Sequence, residues 1–100
     1  MNIQKMMKQA AKMQEQLTAT LAQKTVDVSV GGEKVKVTAN GLGEILSIKI
    51  AKEVVDPEDV EMLEDLILSG VKQASEKGKN LAQGEMGKLT SGLGLPPGTL

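Results

Sequence analysis

Along the first two dozen residues, apolar side chains recur at every third or fourth position. Ile3, Met6, Ala10, Met13, Leu17 and Leu21 form one stripe, and neither Gly nor Pro interrupts residues 2–23. This spacing predicts a helix whose apolar seam, of the heptad kind, suits packing against another helix. From Thr25 the period shortens to two. Val26, Val28 and Val30 alternate with polar residues, and Val35, Val37 and Ala39 do the same after the Gly31-Gly32 turn. Beyond a second turn at residues 40–43, Leu46, Ile48 and Ile50 share one face, with Ile45, Ser47 and Lys49 on the other. Alternation punctuated by Gly-bearing turns predicts three short strands in an antiparallel meander. One face of that meander is apolar, so a helical layer is expected to cover it.

Helical spacing returns at Pro57 and persists to about residue 88. Val60, Leu63, Ile67, Val71 and Ala74 make a core stripe, and Met62 and Leu66 make a second ridge. Asp56 suits the N-cap position, with Pro57 at the first helical position and Asp59 completing an acidic variant of the capping box. Gly78, Gly84 and Gly87 each cost ~1 kcal/mol relative to Ala, so a bend or fraying is expected there. The end of the chain lacks periodicity, and Pro96-Pro97 favours extended backbone. The chain therefore divides into a helical arm (1–24), a sheet (25–50), a second helical region (56–88) and a tail (89–100). These form a single domain of the α+β class: N-terminal helix, three-stranded antiparallel meander and C-terminal helix in a two-layer protomer.

Composition narrows what such a domain can do. Its 100 residues allow one modest core, and none of them is aromatic. A core without the large ring side chains is expected to borrow apolar surface from a partner, most simply a second copy. The absence of both Cys and His removes the usual ligands for zinc, copper and iron and the Ser-His and Cys-His catalytic pairs. An enzyme is not expected, nor are a cofactor or a small-molecule substrate. No apolar run approaches the ~20 residues of a membrane span, and no secretory signal is visible, so the cytoplasm is the expected location.

The formal charge of −1 conceals a division along the chain. Residues 1–24 carry a net +3, residues 53–65 a net −7, and residues 66–100 a net +2. The acidic run loosely imitates a calcium loop at Asp56, Glu58 and Val60. The required Gly is missing, however, and Val stands where an oxygen ligand belongs. A helix start explains the run better, because Glu58, Asp59 and Glu61 would lie at the positive end of the macrodipole. Lys5, Lys8 and Lys12 are the reverse case. Cations near a helix N-terminus oppose its dipole, and like charges three and four residues apart repel by ~0.2–0.5 kcal/mol per pair. Helix stability does not explain this stripe, which leaves contact with phosphates or an ordinary solvated face.

The segments KMMKQAAKMQ, VKVTANGLGEILSIKI, VVDPEDVEMLEDLI and GLGLPPG occur in that order. Together they resemble the YbaB/EbfC family of bacterial nucleoid-associated DNA-binding proteins over nearly the whole chain. The resemblance implies a homodimer shaped like tweezers, with helical arms that bind duplex DNA, located in the nucleoid. Two departures are a missing Gly-rich leader and a complete lack of Arg. Without Arg the commonest specific base contact is absent, and without aromatics there is no stacking platform for single strands. Double-stranded DNA is therefore the expected partner, held by its backbone with little sequence preference. Lys5, Lys8 and Lys12 are expected to neutralise phosphates, with Lys72, Lys77 and Lys79 next in line. Gln9, Gln16 and Asn2 are the nearby groups able to reach base edges. The competing reading is a dimeric protein-interaction adaptor whose Met-rich helix and acidic block dock other proteins, with incidental DNA affinity.

Overall fold

A computed structural model describes residues 2–92 of the chain. Helix α1 spans Ile3–Gln23, and Asn2 caps its start by accepting a hydrogen bond from the Lys5 backbone N–H at 3.2 Å. Strands β1 (Thr25–Val30), β2 (Val35–Asn40) and β3 (Ile45–Ile50) follow. A single turn of 3-10 helix at Lys52–Val54 leads to the long helix α2, Val60–Gly92. The sheet is antiparallel in the order β1-β2-β3. The architecture is the α+β arrangement that the alternating periods indicate.

Helix α2 covers β1 and β2 and barely touches β3. Val35, Val37 and Ala39 of the central strand are fully buried beneath it, together with Val54 and Ala74. Val26, Val28, Val30, Ile45, Leu63, Leu66, Ile67 and Val71 pack around them. Close approach of helix and sheet depends on Gly78. A Cβ there would stand 2.3 Å from the Asn40 carbonyl oxygen, well inside van der Waals contact.

The structure corrects the local reading at five points. The β1–β2 connection occupies residues 31–34 rather than two residues, with Gly31, Gly32 and Glu33 all at positive φ. Pairing of β2 with β3 shifts between Thr38 and Ala39, so that Ala39 opposes Ile45 while Thr38 opposes Ser47. This bulge turns Ile45 toward the core and leaves Leu46 exposed. At the start of α2 the N-cap is Asp59, not Asp56. The Asp59 carboxylate accepts from the Met62 N–H at 3.3 Å, whereas Asp56 accepts from the Glu58 N–H at 2.9 Å and closes a turn carrying Pro57. Val60, placed in the core by its spacing, is 54% exposed because it belongs to that first, uncovered turn. Finally, α2 runs unbroken through its glycines to Gly92, so residues 89–92 belong to the helix. The rest of the expected tail, with Pro96-Pro97, lies outside the described residues.

Candidate nucleic-acid interface

Among the described residues, the arm α1 meets the rest of the molecule toward its C-terminal end. Leu21 is its one buried residue and Leu17 is half-buried. The joint is organised by Asn40, a buried polar residue at the end of β2. Its side-chain amide donates to the Ala22 carbonyl (3.3 Å) and to the Glu44 carboxylate (2.8 Å). Its side-chain oxygen accepts from the N–H groups of Leu42 and Glu44, both at 3.0 Å. The next residue, Gly41, donates to the carbonyls of Leu21 (2.8 Å) and Lys24 (3.1 Å). A Cβ on Gly41 would lie 2.9 Å from that Leu21 oxygen, so only glycine allows the turn to seat against the helix end. From sequence, Asn40-Gly41 reads as a turn; its second role as the root of the arm depends on contacts with Leu21 and Ala22, far upstream in the chain.

A second tie links the arm to α2. The Lys24 ammonium donates a hydrogen bond to Glu85, and Lys88 stands 3.7 Å from the same carboxylate oxygen. The hydrogen bond from Lys24 is the main influence that holds the Glu85 carboxyl below its ordinary range.

Beyond this root the arm stands clear of the core. Lys5, Lys8, Gln9 and Lys12 are all exposed. Their spacing places the three lysines on one side of the helix, spread over about 10 Å of its length. Double-stranded DNA carries one charge per ~1.7 Å of axis, so that length faces roughly six phosphates. The second set of lysines is divided. Lys77 lies on the β1 flank of α2, where its ammonium donates to the Asp27 carbonyl at 3.0 Å. Lys79 lies on the opposite flank and runs past Gly43 in the β2–β3 turn. Lys72, one heptad before Lys79, shares its flank and is exposed. The structure therefore groups Lys72 with Lys79, separates Lys77 from them, and brings none of the three onto the arm.

The acidic run occupies the far end of the molecule. Leu66 packs over Gly31 at the β1–β2 turn, while Glu85 and Met86 reach the base of α1. Acids and arm lysines therefore lie toward opposite ends of a body 68 Å long and 16 Å thick. Among the described residues no group of three His, Cys, Asp or Glu side chains could hold a metal ion. None of the described helices is long and apolar enough to cross a membrane.

Comparison with known proteins places this geometry in context. Residues 1–93 match the model of the YbaB/EbfC DNA-binding family. A nucleoid-associated protein of Ruminiclostridium cellulolyticum is 52% identical, over 97% of this chain and 87% of that one. A nucleoid-associated protein of Pelotomaculum thermopropionicum is 49% identical, over 95% of this chain and 93% of its own. The crystal structure of an uncharacterized Helicobacter pylori protein superimposes with a TM-score of 0.66 at 21% identity, covering 81% of this chain and 94% of that one. This last likeness is one of fold.

Proposed function

The chain belongs to the YbaB/EbfC DNA-binding family, and from that premise we propose that it is a nucleoid-associated protein whose homodimer binds duplex DNA through backbone phosphates. The observation that carries the reading is the cationic face of the arm. Lys5, Lys8 and Lys12 are solvated, lie on one side of a helix, and sit at the end of the molecule away from the acidic run. Lys72 and Lys79 offer a second cationic flank closer to the sheet. Lysine without arginine supplies point charges rather than the bidentate fork that reads guanine, which favours backbone contact over sequence recognition. The nucleoid, within the cytoplasm, is the corresponding location.

Support for the homodimer comes from β3. Ile48 opposes Val37 and Ile50 opposes Val35, so both point to the face that α2 covers elsewhere. Because α2 lies over β1 and β2, Leu46, Ile48 and Ile50 of β3 remain exposed, and Val60 and Leu68 of the helix are exposed as well. An exposed apolar strand at the open edge of the sheet is the surface a second copy would cover, supplying the core that the missing aromatics do not.

The test is duplex binding at two salt concentrations. If a dimer engages ~6 phosphates, the slope of log affinity against log salt is about −5, and doubling the salt weakens binding roughly forty-fold. Lys5→Glu with Lys8→Glu should abolish most of the binding and flatten the slope. An affinity indifferent to salt, or unchanged in the double variant, refutes the assignment. The adaptor reading makes the opposite forecast: the double variant keeps its cellular role.

A further inference from the structure

The apolar stripe of α1 is not explained by DNA contact. Ile3, Met6 and Met13 are 68%, 53% and 44% exposed, on a helix whose one buried residue, Leu21, lies in its last turn. Their spacing is a strict heptad seam: Ile3, Ala10 and Leu17 occupy position a, and Met6 and Met13 occupy position d. The positions that flank such a seam decide what can pair with it. Here they carry Asn2, Gln9 and Gln16 on one side and Met7 and Gln14 on the other, with no charge among them. Lys5, Lys8, Lys12 and Glu15 all fall at the outer positions c and f. Two copies of this helix can therefore meet along the seam without like-charge repulsion, and both lysine faces stay outward. Toward the joint Leu21 is buried and Leu17 is half-buried, and Met86 of α2 lines a groove of about 450 Å³ together with Ala10, Met13, Leu17 and Leu21.

We infer that α1 pairs antiparallel with α1 of a second copy through Ile3, Met6, Ala10 and Met13, and that this pair links two dimers with a duplex on each outer face. The orientation follows from what lies at the arm's root. A parallel pair would force two bodies of sheet and helix side by side at the end where the seam is already filled. An antiparallel pair sets Ile3 against Met13 and Met6 against Ala10, using only exposed positions, and sends the bodies apart. Two helices are about 20 Å thick, so the lysines of each copy face a different duplex. About two heptads make a weak seam alone, since helices this short gain little from isolated pairing. Copies crowded along DNA are at high local concentration, so the linkage forms there. The protein then bridges duplexes as well as binding them.

This inference rests on the DNA-binding reading, and the experiment separates the two. Single-duplex affinity is measured by fluorescence anisotropy, and bridging by capture of a labelled duplex on beads carrying a second duplex. Met6→Gln with Met13→Gln should keep single-duplex affinity within about two-fold while cutting capture at least about ten-fold, since the lysines are untouched and the seam loses its burial. Capture equal to wild type overturns the inference, and so does an equal fall in both readouts, which would make the stripe part of the DNA contact. If wild type binds no duplex, the DNA-binding reading fails instead, and the seam is read by cross-linking at high protein concentration. The chain has no cysteine, so copies bearing Met6→Cys mixed with copies bearing Ala10→Cys should form a mixed disulfide on mild oxidation. A stripe that takes a lipid surface or another segment of its own chain gives no such product, and that result overturns the pairing.

Discussion

The two halves of α2 obey opposite rules. Over the sheet the helix is fitted so closely that Gly78 has no room for a methyl group, its Cβ position lying 2.3 Å from the Asn40 oxygen. A few residues later, beside the base of the arm, Gly84 and Gly87 have nothing within 4 Å of the same position. One half is fitted to the sheet, and the other runs past it, touching the base of α1 through Glu85 and Met86 but leaving its glycine positions open. The same contrast separates the core strands from α1: Val35 and Val37 are completely buried, whereas Ile3 and Met6 are apolar and open. An exposed apolar stripe of this kind is the sort of surface on which the proposed pairing of arms depends.

The contrast is tested most severely by alanine at the glycines. Gly78→Ala should destabilise by about 3 kcal/mol, because the clash is with backbone and α2 must lift from β2. Gly84→Ala and Gly87→Ala should each stabilise by about 0.5–1 kcal/mol, since helix propensity improves and nothing is displaced. Urea denaturation of the three variants reads the sign directly. Destabilisation at Gly84 or Gly87 would mean that this half of α2 is packed after all, against another copy.

Removal of the joint residue is next in size. Asn40→Ala leaves the Ala22 carbonyl, the Glu44 carboxylate and two backbone N–H groups without their partner, at a cost of about 2 kcal/mol. The lysines are untouched, so the salt slope of DNA binding should hold while affinity falls about five-fold, from an arm less well positioned. A changed slope would show that the joint helps decide which lysines reach phosphate, rather than only holding the arm.

How much of this was legible beforehand depended on whether a feature is local. The periods of two and 3.6 separated strands from helices and outlined the arm, because each is a property of neighbours in sequence. The bulge at Thr38–Ala39 was not legible, since alternation alone does not say which strand carries the extra residue. Nor was the shift of the cap to Asp59, because Asp56 followed by Pro57 satisfies the rules for a helix start and for a turn alike. The separation of Lys77 from Lys72 and Lys79 follows from 100° per residue, but only after the sheet fixes which side of α2 is inward. Asn40 hid for a similar reason: its partners include Ala22, which lies 18 residues upstream and comes beside it only when β1 pairs with β2.

The smallest effect sharpens the account of the arm's root. Lys24, at the end of α1, holds the Glu85 carboxyl below its ordinary pKa of 4.5 in the folded protein. A carboxylate with a depressed folded pKa stabilises fully above its unfolded value and loses that contribution as pH falls through the folded one. Glu85→Gln keeps the size of the side chain and removes the titration. Wild type should therefore exceed the variant in melting temperature at neutral pH, and the gap should narrow from about pH 4.5 downward. Lys24 is partly exposed, so salt should narrow the same gap at pH 7. A gap that is constant from pH 7 to pH 3 would show that the Lys24–Glu85 pair does not tie the arm to α2. Orientation of α1 would then rest on the Asn40 joint alone, and the arm would swing more freely than the packed half of the molecule allows anything else to move.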